Sequence, residues 1–84
     1  MGKYDKLRLK ILQGSSDANI GFNDLRELLK RVGFEERIRG SHHIFRKEGI
    51  EEKPNLQSDS ANAKPYQVRQ IRSILVKYHF GEED

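Results

Sequence analysis

Apolar residues recur at helical spacing in three stretches of the chain, and each stretch predicts a helix with one buried face. The three sets are Tyr4, Leu7 and Ile11; Phe22, Leu25, Leu28, Leu29 and Val32; and Val68, Ile71, Ile74, Leu75 and Tyr78. The first helix is short, and Gly14 can end it by adopting a left-handed conformation. The polar, turn-rich residues 14–19 follow it, so we predict that this helix is an appendage to the main core.

The other two helices have clearer ends. The second is predicted over residues 24–32, with Asn23 as its N-cap and Gly33 as its stop. Pro65 suits the first turn of the third helix, because the N–H group that proline lacks has no partner within the helix at that position.

Short strands are predicted between the second and third helices. Residues 34–39 and 42–47 flank Gly40 and Ser41, a connection in which glycine can supply the positive φ angle of a hairpin turn. Residues 52–57 predict a third strand, which contains a proline and is therefore expected at an edge or at its own start.

The length of the hairpin loop decides which side chains share a face of the sheet. A loop of two or four residues places Ile38 on the same side as His43 and Arg39 on the same side as His42. A loop of three residues reverses both pairings. The sequence alone leaves the loop length open.

The element order is helix, helix, strand, strand, strand, helix. This order predicts an α+β fold in which helices pack on one face of a three-stranded antiparallel sheet, with the first helix as an addition. The polar residues 57–63 are predicted to be a mobile connection. We divide the chain into an N-terminal helix and linker (1–21), a main domain (22–80) and an acidic tail (81–84).

Composition limits the protein to one small core. The chain has 84 residues, of which 35% are apolar and 35% are charged, so burial must come from narrow apolar faces. The longest apolar run spans only residues 74–76, far short of the ~20 that a bilayer helix needs, and no signal-peptide segment is evident. We therefore expect no membrane association and a cytoplasmic location. The absence of cysteine excludes disulfides, thiolate metal sites and cysteine nucleophiles.

The net charge of +3 conceals two strongly basic blocks. Residues 37–47 carry four basic and no acidic side chains, and residues 53–81 carry five basic side chains against one acid. Arg69 and Arg72 are three residues apart and form one basic ridge, which we place on the exposed face of the third helix. Such blocks are typical of proteins that bind a phosphate backbone, although solvated helix faces can look similar.

The first basic block also contains the adjacent histidines His42 and His43. Imidazole exchanges protons near neutral pH, so either ring can serve as a general base. RNA carries its own nucleophile, the 2′-hydroxyl, so a protein without cysteine can cleave it with a base and phosphate-binding cations, without a metal or other cofactor. The candidate RNA-binding residues are Arg37, Arg39, Gly40, Ser41, Arg46, Lys47, Arg69 and Arg72.

Several of these features also have a purely structural interpretation. Adjacent histidines on one strand point to opposite faces, and His79 is distant in sequence without an Asp or Cys partner, so no metal site is predicted. Gly40 and Ser41 can be only a turn. The paired acids at residues 35–36 and 51–52 are interpreted as solvated strand and turn positions.

The segment Gly40-Ser41-His42-His43-Ile44-Phe45-Arg46, after a helix ending in Val32-Gly33-Phe34, resembles the HicA family of toxins. The resemblance covers about residues 22–78. It implies a fold like the double-stranded-RNA-binding domain, a type II toxin that cleaves mRNA, and a HicB-type antitoxin as its partner. The histidine of the family motif is associated with cleavage, so the resemblance implies His43 first and His42 second as the catalytic residue.

Three departures from the family pattern keep other interpretations open. The first helix lies outside the usual HicA chain, the connection at residues 57–63 is longer than usual, and Asn55 follows Pro54 where many members have a histidine. The main hypothesis is therefore an endoribonuclease with a histidine base. A non-catalytic RNA-binding module of the same fold is the alternative, and a purely protein-binding partner is a third hypothesis.

Overall fold

The computed structural model describes residues 2–80, which form three α-helices, a three-stranded sheet and a small two-stranded hairpin. The helices are α1 (Lys3–Gln13), α2 (Phe22–Arg31) and α3 (Pro65–Tyr78), with one 3₁₀ turn at Asp17–Asn19; the strands are β1 (Glu35–Arg39), β2 (His42–Arg46), β3 (Asn55–Leu56), β4 (Ser58–Asp59) and β5 (Asn62–Ala63). The predicted α+β class is confirmed. The predicted acidic tail at residues 81–84 lies outside the described residues.

The main sheet has the strand order β1-β2-β3, and both pairs are antiparallel. Arg39 pairs with His42, so the hairpin loop contains only Gly40 and Ser41. Gly40 has a φ angle of 57°, a left-handed conformation that a two-residue hairpin turn requires and glycine adopts without strain. The two-residue loop places His43 opposite Ile38. This settles the question that the sequence left open.

One hydrophobic core lies between the helices and one face of the main sheet. Its buried side chains come from every helix and from β2, β3 and β5: Ile11, Ile20, Phe22, Leu25, Leu28, Leu29, Phe34, Phe45, Leu56, Ala63, Val68, Ile71, Ile74 and Leu75. Phe45 is fully buried, so the face of β2 that carries it is the core-facing one. In residues 2–80, no helix is long and apolar enough to span a bilayer.

The prediction that the first helix is an appendage was wrong. Ile11 is fully buried and belongs to the same core as the other helices. The Arg72 guanidinium of α3 donates to the backbone oxygen of Ile11 over 2.7 Å and pairs with the carboxylate of Asp17. The same Ile11 oxygen accepts from the backbone N–H of Gly14 over 3.1 Å at the end of α1, so Arg72 is a second donor there while it also holds the following turn.

The second helix begins two residues earlier than predicted. Gly21 is the N-cap residue, and Phe22 opens α2 because its backbone N–H donates to the oxygen of Ala61 over 2.9 Å. The side chain of Asn23, which we predicted to cap the helix, instead accepts a hydrogen bond from Arg26 over 2.9 Å. A partner distant in sequence therefore replaces the expected local cap.

The prediction of a mobile connection at residues 57–63 was also wrong. This segment contains the β4–β5 hairpin, and Ala63 donates to the backbone oxygen of Ile20 over 2.9 Å. The side-chain amide of Gln67, which is buried on α3, pairs with the backbone N–H and C=O of Gln57 at 2.9 and 3.0 Å. These contacts satisfy backbone N–H and C=O groups that would bind water in a mobile polar loop. The predicted third strand, residues 52–57, is limited to Asn55–Leu56.

Candidate active site

The histidine that we ranked first lies on the core-facing side of β2, at the margin of the core. His43 pairs with Ile38 on β1 and with Leu56 on β3, and it shares its face with the buried Phe45 two residues further on. The ring of Phe22, at the start of α2, meets the imidazole edge to face with 5.0 Å between centroids. Only 16% of the His43 side chain is exposed. The ring is therefore held between the sheet and α2.

A hydrogen-bonded chain connects this histidine to α2. The Nδ1 atom of His43 lies 2.8 Å from Oε2 of Glu36 on β1. Arg26 of α2 binds the same carboxylate through two nitrogens, with Nε 2.5 Å from Oε2 and Nη2 2.9 Å from Oε1. Glu36 and His43 share a face because Glu36 is two residues from Ile38, the partner of His43.

Glu36 has a largely covered side chain, and its carboxylate stays ionised. Its side chain is only 8% exposed. The hydrogen bonds from Arg26 are the main reason that the pKa of Glu36 falls to about 2; burial opposes this shift and the contact with His43 adds to it. Lys30 contributes a third, looser contact at 3.9 Å. The interpretation of Glu36 as a solvated strand position was therefore wrong.

The contact with Glu36 leaves the second ring nitrogen of His43 open. Nε2 has no hydrogen-bond partner among residues 2–80, and it is not a buried atom. An ionised carboxylate can only accept, so Nδ1 carries the proton in the neutral ring and Nε2 holds a lone pair. The arrangement thus leaves an unoccupied proton acceptor on a partly buried, oriented imidazole.

The second histidine faces the other way. His42 is exposed on the open face of the sheet, where its Nδ1 lies 3.1 Å from Oδ1 of Asn55. Asn55 follows Pro54 on the third strand, so the polar group beside His42 there is an amide. In the part of the chain that the structure describes, no cluster of three or more His, Asp or Glu side chains could hold a metal ion.

The predicted phosphate-binding arginines of the hairpin share one face of the sheet. Arg37, Arg39 and Arg46 are exposed on the open face, opposite to His43. Two of these arginines, Arg37 and Arg46, line an open groove of about 960 Å³ together with Lys47, Lys53 and three glutamates, and this groove does not include either histidine.

The turn residues lie close to His43 in sequence. Gly40 and Ser41 form the tip of the hairpin, two to three residues along the chain from His43, and the Ser41 hydroxyl accepts a hydrogen bond from Gln57 over 3.0 Å. Lys47 lies beyond the opposite end of β2, where its Nζ sits 5.7 Å from the Phe80 ring centroid.

The two arginines of α3 have different environments. Arg69 is exposed, as predicted. Arg72 is not part of an exposed ridge, because its side chain is only 23% exposed and is engaged by Ile11 and Asp17. These contacts give Arg72 a packing role in joining α3 to α1.

The fold and the motif agree with a comparison against protein families. A family model described as the HicA toxin of bacterial toxin-antitoxin matches residues 22–77, two thirds of the chain. The protein is therefore of the class of toxins from bacterial toxin–antitoxin systems, and its fold is like that of the double-stranded-RNA-binding domain. The chain belongs to the HicA toxin family.

Family membership implies a cognate antitoxin as a partner. No curated protein matches the chain, and no solved structure does either. The match begins at Phe22, so α1 and the 3₁₀ turn lie outside the matched region although they pack into the same core.

Two residues of this site were missed by sequence reasoning. Glu36 and Arg26 carry no motif, and in the sequence they look like ordinary charges on a strand and a helix. The usable signal was the hairpin register: with a two-residue loop, Glu36 falls on the face of His43 and opposite the buried Phe45.

Proposed function

We propose that the chain is a metal-independent endoribonuclease that cleaves mRNA, with His43 as the general base. The observation that supports this most directly is the state of the His43 ring, whose Nδ1 is held by an ionised carboxylate while Nε2 is open. A base must offer a lone pair in a defined direction, and this arrangement provides one.

The proposed reaction begins with the 2′-hydroxyl of the nucleotide before the scissile phosphate. Nε2 of His43 takes the 2′-hydroxyl proton as the 2′-oxygen attacks phosphorus. The bond between phosphorus and the 5′-oxygen breaks, and this oxygen takes a proton from water. The products are a 2′,3′-cyclic phosphate and a 5′-hydroxyl end. Cations beside the phosphate stabilise the negative charge that develops on its oxygens.

The hairpin tip is the proposed crossing point for the RNA strand. Gly40 and Ser41 lie close to His43 along the chain, and Arg39 stands next to the tip on the open face. A strand that passes over the tip brings one phosphate to His43 and the following phosphates to Arg39 and Arg37, which lie about 7 Å apart along β1. Arg46, Lys47 and Arg69 are the more distant members of the proposed RNA-binding set.

Cleavage of RNA by the wild type and by the single variants His43→Ala and His42→Ala tests the proposal. We expect loss of cleavage in His43→Ala with an unchanged circular dichroism spectrum, continued cleavage in His42→Ala, and no effect of EDTA on the wild type. Full activity of His43→Ala contradicts the assignment of the base. If the wild type shifts RNA on a gel without shortening it, the protein is a non-catalytic RNA-binding module.

We further propose that the cognate antitoxin is of the HicB type and presents acidic side chains to the basic hairpin. Covering the exposed arginines blocks access of RNA phosphates, so one contact surface accounts for inhibition. Co-purification with the product of an adjacent reading frame tests this. Charge reversal at Arg37 and Arg39 is expected to abolish the complex, whereas retention of the complex contradicts the proposed surface.

A further inference from the structure

We propose that Glu36 and Arg26 are positioning residues for His43: Glu36 holds the imidazole as its Nδ1–H tautomer, and Arg26 holds Glu36 in place. The catalytic consequence rests on the proposed function of His43, whereas the effect on the ring itself does not. Neither residue belongs to the motif that carries the family resemblance.

The first step concerns the proton on the ring. Nδ1 of His43 lies 2.8 Å from an oxygen of Glu36, a normal hydrogen-bond distance. Because an ionised carboxylate has no proton to give, the ring must donate through Nδ1. Neutral imidazole carries one ring proton, so Nε2 is left as the acceptor that a general base needs.

The second step concerns the carboxylate. The planar guanidinium of Arg26 binds both oxygens of Glu36, at 2.5 and 2.9 Å, and this fork fixes the plane of the carboxylate. Arg26 is itself oriented by Asn23, whose side-chain oxygen accepts from Nη1 over 2.9 Å. A lysine at the same position would supply charge without the two-pronged geometry.

The surroundings of the ring give it few other ways to be oriented. Glu36 comes from β1, and α2 contributes the charges of Arg26 and Lys30, which both reach Glu36 rather than the ring. The other contacts come from apolar side chains, with Phe22 edge to face against the ring and Leu56 opposite it on β3. Among the described residues, Glu36 is therefore the polar group that can select the tautomer.

A purely structural ion pair between Arg26 and Glu36 would behave differently. Loss of such a pair would lower stability but leave the ring proton and the chemical step as they were. Oε2 of Glu36 is shared between Arg26 Nε and His43 Nδ1, so a change at Arg26 is expected to reach the imidazole. The ring tautomer therefore separates a positioning role from a structural one.

The decisive experiment combines ¹⁵N NMR of histidine-labelled full-length protein with RNA cleavage kinetics. In the wild type at a pH where the ring is neutral, we expect a protonated Nδ1 and a bare Nε2 for His43. In Glu36→Ala we expect the His43 ring to lose this single tautomer. We also expect kcat to fall about 10- to 100-fold, the usual effect of removing a residue that orients a functional side chain, with KM little changed. Glu36→Gln is a second variant that retains an acceptor oxygen and the side-chain shape.

Matched controls come from the neighbouring residues. Glu35→Gln removes an acidic charge one residue away on the opposite, exposed face, and it is expected to leave the His43 signals and kcat unchanged. We expect the kcat of Arg26→Lys to lie between those of Arg26→Ala and the wild type, because lysine restores the positive charge but does not bind both carboxylate oxygens in one plane.

The outcomes for the two proposals are distinct. A bare Nδ1 on His43 in the wild type, or an unchanged tautomer and kcat in both Glu36 variants, overturns the positioning role while leaving His43 as the base. A wild type with the expected tautomer but no cleavage of RNA overturns the proposed function while leaving the structural part of the inference intact. If Glu36→Ala fails to fold, the His43 tautomer and kcat are both measured in Glu36→Gln instead.

Discussion

Glu36 should make the stability of this protein depend on pH in the acidic range. Its carboxyl pKa is lowered from 4.5 to about 2 in the folded chain, chiefly by the hydrogen bonds from Arg26. A shift of this size corresponds to about 3 kcal/mol, at about 1.4 kcal/mol for each pKa unit. The side chain is only 8% exposed, so solvent screens little of this interaction.

The sign follows from the direction of the shift. A carboxyl group whose pKa is lower in the folded state stabilises that state above its unfolded pKa, and the contribution disappears as the pH falls through the folded pKa. The contribution is therefore complete above about pH 5, and about 2 of the 3 kcal/mol are lost by pH 3. Below about pH 2 it vanishes.

Urea denaturation of the wild type and of Glu36→Gln, at several pH values from 7 to 3, measures this contribution. The variant lacks the titrating group, so the difference in free energy of unfolding between the two proteins should shrink by about 2 kcal/mol over that range. Other carboxylates titrate in both proteins, so their contributions cancel in the difference in free energy of unfolding. Glu35→Gln, an exposed neighbour, should differ from the wild type by no more than about 0.5 kcal/mol at any of these pH values. A wild-type–Glu36→Gln difference that stays constant from pH 7 to pH 3 would refute the reasoning.

Three further predictions address other parts of the molecule. Arg72→Met should lower the free energy of unfolding by about 1–3 kcal/mol in urea titrations, because it leaves the Asp17 carboxylate without this partner and removes one of the hydrogen bonds to the Ile11 carbonyl, whereas Arg69→Ala should change it little. Arg37→Ala should reduce the salt dependence of RNA affinity by about one unit of log–log slope, measured by fluorescence anisotropy, and an unchanged slope contradicts a phosphate contact. Gln67→Ala should raise hydrogen exchange at the Gln57 amide, since its side-chain acceptor is removed; unchanged exchange contradicts that contact.

The parts of the fold that the sequence predicted are those with local signals. The apolar faces of the three helices and the Gly40-Ser41 turn depend on residues within a few positions of one another, and all four elements are present. The errors arose where distant segments decide the structure. The N-terminus of α2 is held by Ala61, and the β4–β5 hairpin docks on Ile20, contacts that no local pattern encodes.

In the candidate site too, local features could be predicted from the sequence, whereas contacts between distant residues could not. The histidine pair was visible as a motif, but which β1 side chains share a face with each ring depended on a loop length that the sequence left open. Glu36 looked solvated because a glutamate on a strand usually is, and only the packing of Arg26 against it reveals a largely covered, ionised carboxylate. Arg72 was misplaced for a related reason: its partners, Ile11 and Asp17, lie more than 50 positions away in sequence.

The central claim is that His43 removes the 2′-hydroxyl proton of an RNA substrate, and end analysis of cleaved RNA tests it most directly. Wild-type protein incubated with mRNA in EDTA should give fragments with 2′,3′-cyclic phosphate and 5′-hydroxyl ends, and His43→Ala, folded to the same extent, should give none. Fragments of the same kind and at the same rate from His43→Ala would contradict the account.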